Sequence, residues 1–375
     1  MKCEKMPFVK NEYKSYMLID FAHMQREVRE IFDNDKNDFD LFFNKLSAYY
    51  RTPLYQRETL IIFDEVQRYP AARELVKYLV ADGRYDYLET GSLISLRMNV
   101  ENTRPLGQAV HKRVLNDFRQ YMLVGGMPQA VESYIKDKNF ENVDRIKKRI
   151  LTLYREDITK FAKGYEAKVL AVFDEMPSQL SKVEKKFKLS SIDTGARFRD
   201  YESSFMWLAE AMIANNCYNA TEPTVGLAMS KEHTTRKCYM GDTGLLITHS
   251  FMDDTFIDNE LYRDILLDRL HVNEGMLMEN IVAQELRAHG HKLFFYSRID
   301  TNNRENNVEI DFLIRRQRKI CPIEVKSGAY RKHSSLDKFR KRFSGKIGQS
   351  YILYTKDICV KEEVVHLPLY FAMFL

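Results

Sequence analysis

Three short apolar runs in the first hundred residues restrict this chain more than any other feature. YMLIDF (16–21), LIIFDE (60–65) and YDYLETGS (85–92) each read as a buried strand. Between the last two, AARELVKYLVADG places Leu75, Tyr78 and Leu79 at helical spacing, with Gly83 as the stop. Strand, helix, strand in this rhythm predicts an α/β fold built on a parallel sheet. The chain is 375 residues long, enough for two or three domains. A helical pattern runs from about 104 to 165. Short helices and a β-ribbon then follow, from CYNATEP to TTRKCYMGDTG, and suggest a winged helix-turn-helix over 166–248. From 249 onward a long helix (274–290) precedes the strand KLFFYSR. A hairpin-like pair, NVEIDFLI and KICPIEVKSG, comes next, then a basic helix and a last strand, SYILYT.

Several classes are excluded at this level. With 45% hydrophobic and 30% charged residues, the chain is neither disordered nor fibrous. Its aliphatic runs fall far short of the ~20 residues that cross a bilayer, so no membrane association is expected. MKCEKMPFVKNEYK has no apolar leader segment, and the five cysteines form no CxxC pair. A soluble, cytoplasmic protein without a disulfide framework or zinc site is the expectation. Charge is uneven: residues 311–350 hold twelve Lys/Arg against three Asp/Glu, +9 within a chain of +5 overall. Such a segment is either a solvated helix face or a surface for phosphates.

Two constellations carry chemistry. The first is L-I-I-F-D-E, a buried strand ending in two carboxylates, Asp64 and Glu65, followed by a strand that ends near Ser92. In a nucleotide-hydrolysing site the first carboxylate would help hold Mg²⁺, the second would polarise water, and a polar side chain such as Ser92 would face the γ-phosphate. The matching G-x-x-x-x-G-K-[ST] loop is absent from the sequence; the sole Gly followed by Lys is Gly345. The nucleotide site therefore reads as degenerate.

The second constellation is D-F-L-I-R-R-Q-R-K-I-C-P-I-E-V-K (311–326). Period-two alternation puts Glu324 and Lys326 on one face, and a turn at 315–318 brings Asp311 close to Glu324. Glu279 on the preceding helix would complete the group. Asp311 and Glu324 could hold Mg²⁺ while Lys326 orients a water. The alternative is a solvent-facing hairpin with ordinary charges.

LIIFDEVQRYP, YLETGSLISL, LVGGMPQAV, YMGDTGLL and EIDFLI…PIEVKSG together resemble a family of prokaryotic AAA-type ATPases. In that family the C-terminal region combines a winged helix with a restriction-endonuclease-like PD-(D/E)xK domain. The resemblance implies four parts: a truncated ATPase core (1–103), a helical lid (104–165), a winged helix (166–248) and a nuclease-like domain (249–375). It implies ATP at Asp64, Glu65 and Ser92, and nuclease-like chemistry at Asp311, Glu324, Lys326 and Glu279. Against the family pattern, the phosphate loop and a segment near residues 100–104 are missing.

Nucleic acid is the implied partner. Arg197 and Arg199 at a helix start, and Arg340, Lys341 and Arg342 on the basic helix, are its candidate contacts. Arg197 and Arg199 could equally pair with Asp200 and Glu202. Self-association through the strand edge at YDYLETGS is a further expectation. The competing reading is a non-enzymatic DNA-binding or protein-interaction module in which both sites are relics.

Overall fold

The computed structural model describes residues 12–89, 92–252, 259–266, 274–327 and 334–375. Chain contacts divide it into two compact units, with the boundary after Glu101. The first unit has a parallel sheet in the order β1-β2-β3, made of β1 (Ser15–Asp20), β2 (Thr59–Asp64) and β3 (Asp86–Glu89). Helices α1 (Arg26–Asn34) and α2 (Phe39–Tyr50) connect the first two strands. Helix α3 (Pro70–Asp82) connects the second and third, and α4 (Ser92–Glu101) follows. The central strand is apolar on both faces, as parallel strands covered on both sides are. Ile61 and Phe63 join a core with Ile19, Phe32, Phe42 and Leu79. Leu60 and Ile62 pack with Tyr16, Leu18 and Leu88 on the opposite face. α3 begins at a proline, whose missing N–H costs nothing in a first turn, and ends at Gly83 with φ 73°.

The second unit opens with the helices α5 (Gln108–Val124), α6 (Pro128–Asp137), α7 (Phe140–Phe161), α8 (Glu166–Ser181) and α9 (Phe198–Glu210). The ribbon β4 (Ala214–Ala220) and β5 (Lys231–Met240) follows, then α10 (Thr243–Ser250), α11 (Asn259–Leu266) and α12 (Glu274–Ala288). β6 (Phe294–Arg298), β7 (Val308–Arg316), β8 (Lys319–Val325), α13 (Ser334–Arg342), β9 (Ser350–Tyr354), β10 (Cys359–Lys361) and β11 (Val364–Pro368) complete it. All eight strands form one mixed sheet, in the order β10-β11-β9-β8-β7-β6-β4-β5.

The short helices and ribbon expected over 166–248 are present, but the ribbon is part of the larger sheet. β4 runs parallel to β6, with Tyr218 opposite Phe294 and Asn219 opposite Phe295. The helices and the ribbon of this stretch belong to the second compact unit. The basic helix spans 334–342; its expected first residues, 331–333, lie outside the described residues.

LVGGMP and GDTGLL, far apart in sequence, meet here. Asp242 caps α10 by accepting from Leu245 N (2.8 Å), and its other oxygen accepts from Gly126 N at 2.6 Å. A Cβ on Gly125 would stand 2.4 Å from Asp242 Oδ1, and one on Gly244 would stand 2.5 Å from Gly125 N. Beneath this joint the fully buried Lys147 donates to Leu123 O (2.8 Å), Gly244 O (3.1 Å) and the Tyr262 hydroxyl (3.0 Å). Close backbone approach accounts for the glycines, which act here as a helix joint and not as a phosphate cradle.

Candidate functional site

At the C-terminal edge of the parallel sheet, Asp64 ends β2 half-buried, and Glu65 follows in the left-handed region with φ 56°. Asp20 lies directly across from Asp64 in the β1–β2 register. Sequence reasoning passed over Asp20, although it ends a buried strand just as Asp64 does. Its carboxylate accepts from Ala22 N (2.8 Å) and faces His23 Nδ1 at 3.0 Å. Burial would raise the Asp20 pKa, but the hydrogen bonds from His23 and Ala22 outweigh it and hold the carboxyl below its usual value. Ser92 begins α4, with its side chain outside the described residues. In parallel α/β sheets, ligands sit outside this strand edge.

The second group lies on the eight-stranded sheet. Alternation along VEIDF buries Val308, Ile310 and Phe312 and turns Glu309 and Asp311 to the opposite face. Phe312 pairs with Ile323, so one step further along the antiparallel ladder Asp311 faces Glu324. Asp311 Oδ2 accepts from Val325 N at 2.9 Å. Lys326 Nζ stands 2.6 Å from Glu324 Oε2. Glu279 comes from α12, with Lys185 Nζ 2.7 Å from its Oε1 and the Tyr239 hydroxyl donating to its Oε2 at 3.0 Å. Glu279, Asp311, Glu324 and Lys326 are thus brought into one neighbourhood.

Sequence reasoning missed the group at its centre. Lys237 on β5 is 1% exposed. Its Nζ stands 3.0 Å from Glu309, 3.6 Å from Glu279 and 3.6 Å from Asp311. Two strands separate β5 from β7, and the ammonium lies 5.2 Å from the centroid of the Phe295 ring on β6. Lys186 adds a further contact to Glu309 at 3.6 Å. No local spacing could have pointed to Lys237; the one signal was two consecutive cations, Arg236 and Lys237, running directly into the apolar end of β5 at Cys238–Met240.

The electrostatics follow from burial and charge balance. Burial alone would lower the Lys237 pKa, but Glu279, Asp311 and Glu309 hold it well above the usual lysine value. Asp311 is raised, first by burial and then by Glu279, against the pull of Lys237 and Lys326. Lys326 is raised too: Glu324 and Asp311 outweigh its burial. A lysine held protonated is a fixed charge and not a base. Among the described residues no group of three or more His, Cys, Asp or Glu is arranged to hold a metal ion.

The proposed nucleic-acid contacts are dispersed. Arg197 is the residue preceding α9, and Arg199 lies 3.5 Å from Asp200. Glu202 pairs instead with the fully buried Arg236. On α13, Arg340 bonds Glu363 (3.1 Å) and the Glu362 carbonyl (3.0 Å), while Lys341 and Arg342 are exposed.

The family matches support an AAA-type ATPase class, with the AAA match lying in the N-terminal part of the chain. Residues 8–121 match the family model of an AAA domain. Residues 274–370 match a domain of unknown function (DUF4143), and residues 115–255 match another (DUF8612). No curated protein matches the chain. Among solved structures, protein VC1899 from Vibrio cholerae is similar at 12% identity over 96% of this chain and 95% of its own, with a TM-score of 0.20. That score is too low to carry a fold assignment. No described helix is long and apolar enough to cross a membrane.

Proposed function

We propose that this AAA-type ATPase-like protein engages nucleic acid without cutting it, through a C-terminal unit that keeps a nuclease-like arrangement of carboxylates around a built-in cation. The observation that carries this reading is the Lys237 ammonium, within 3.0 to 3.6 Å of Glu309, Glu279 and Asp311. A divalent ion bridging Asp311 and its neighbours would need the space and the charge that Lys237 supplies. The donor set therefore does not fit Mg²⁺, and no hydrolytic step is derived through one. Glu279, Glu309, Asp311 and Glu324 are balanced by Lys185, Lys186, Lys237 and Lys326 without a metal.

The nucleotide site is degenerate on this reading: Asp64 and Glu65 are in place, but the sequence has no loop to cradle phosphates. Labelled duplex and single-stranded oligonucleotides, followed by anisotropy and by gel, test the proposal. Binding should be independent of Mg²⁺, should weaken as salt rises, and should leave the strands intact. Metal-dependent cleavage that disappears in Asp311→Asn would overturn it.

A further inference from the structure

Two cavities of about 340 Å³ and 390 Å³ adjoin where β4 meets β6, sharing Ala228, Lys292 and Phe294 in their walls. Lys231 and Arg287 line the first and Arg315 lines the second, so with Lys292 four basic side chains line this groove; no carboxylate lines either cavity. Among the described residues, Arg287, Lys292 and Arg315 make no ion pair within 4.0 Å. Lys231 Nζ rests 3.6 Å from the centroid of the Tyr218 ring, on an aromatic face and not on a counter-ion. Burial lowers its pKa; Glu202 pulls it up, and Arg236 and Lys292 push it down. The groove lies apart from the carboxylate–lysine cluster, whose charges cancel.

We propose that this groove binds phosphate groups, and that its ligand is the phosphodiester backbone of a nucleic acid. Unpaired cations around a concave surface attract polyanions and release their counterions on contact. Lys231 and Lys292 act as point charges, whereas Arg287 and Arg315 offer planar forks matched to phosphate oxygens. The choice of nucleic acid as the phosphate source rests on the function proposed above; the phosphate site itself does not.

The test uses the full chain, with labelled oligonucleotides and, separately, inorganic tripolyphosphate as a competitor. Arg287 and Lys292 are exposed, so the double variant Arg287→Gln/Lys292→Gln should fold. It should bind oligonucleotide about tenfold or more weakly at 0.1 M salt, with the salt slope reduced by about two. Arg340→Gln/Lys341→Gln on α13 serves as the control and should lose less. If the control pair loses more and the groove pair nothing, the groove proposal is overturned while nucleic-acid binding stands. If tripolyphosphate binds, is lost in the groove variant, and oligonucleotides do not bind, the phosphate site stands and the nucleic-acid reading falls. Binding of neither probe overturns both.

Discussion

Lys237 Nζ lies 3.0 Å from the Glu309 carboxylate, with 1% of the lysine exposed. A buried cation held by carboxylates contributes little net stability, but removing one partner leaves the others uncompensated. Lys237→Met should therefore destabilise the second unit by about 3–5 kcal/mol in urea denaturation at neutral pH. The sign of the pH effect follows from the raised Asp311 pKa. A carboxyl whose folded pKa is above its unfolded value takes up its proton more readily when folded, so its penalty is relieved as pH falls. The gap between variant and parent should narrow in mild acid. A gap below about 1 kcal/mol that does not change with pH would show that Lys237 does not neutralise these carboxylates.

Gly125 permits no side chain. Its φ of 83° lies in the glycine region, and an added Cβ would stand 2.4 Å from Asp242 Oδ1. Gly125→Ala should cost about 3 kcal/mol or more, combining backbone strain with a broken hydrogen bond to Gly126. Thermal melts of Gly125→Ala and of the exposed control Gly345→Ala should separate clearly; equal melts would remove the joint between the two motifs.

Lys147 gives a second, opposite pH signature. Burial brings its pKa down to about 8, although Asp144 and Asp242 pull it up. A lysine with a lowered folded pKa gives up its proton more readily when folded. Between about 8 and the ordinary 10.5 the unfolded chain then binds more protons, and this group's contribution to stability rises with pH. The rise should be on the order of 3 kcal/mol, measured as the pH dependence of parent minus Lys147→Met. Parallel curves for the two proteins would show that Lys147 is not the titrating group.

ATP turnover by the chain should stay at background, because Asp64 and Glu65 have no phosphate-cradling loop in the sequence to work with. A malachite-green assay with the parent and Glu65→Gln checks this. Turnover abolished by Glu65→Gln would show that the nucleotide site is competent.

The local parts of this molecule were legible in the sequence. The apolar run ending at Asp64 announces a parallel strand because both of its faces are covered, whereas the run ending at Asp20 is an edge strand buried only at Met17 and Ile19. Period-two alternation set Glu324 beside Lys326, a relationship that depends only on neighbouring residues. What escaped was non-local. Lys237 reaches Asp311 across two intervening strands, and no pattern within β5 encodes that. The helix-and-ribbon order of 166–248 is the same whether a ribbon stands alone or extends a sheet, and the pairing of Tyr218 with Phe294 that joins it to β6 is not encoded in that order. β10 and β11 fill one end of the sheet from a C-terminal stretch whose strand signals went unread. Arg340 looked like a phosphate contact by charge, yet its guanidinium is taken up by Glu363 and a carbonyl.

The distance along the chain between Lys237 and its counter-charges has a consequence for synthesis. A ribosome delivers β5 well before it delivers Glu279, Glu309 and Asp311. Before Glu279 on α12 emerges, the β4–β5 ribbon carries an ammonium with no counter-charge; Glu279 then faces Lys185 as well, so until β7 follows, sealing the Lys237 ammonium from water would be strongly unfavourable. The emerging ribbon must therefore stay hydrated and unsealed until β7 has cleared the exit tunnel. A chain that stops after β6 should be captured by chaperones or degraded and should not persist as a smaller folded product.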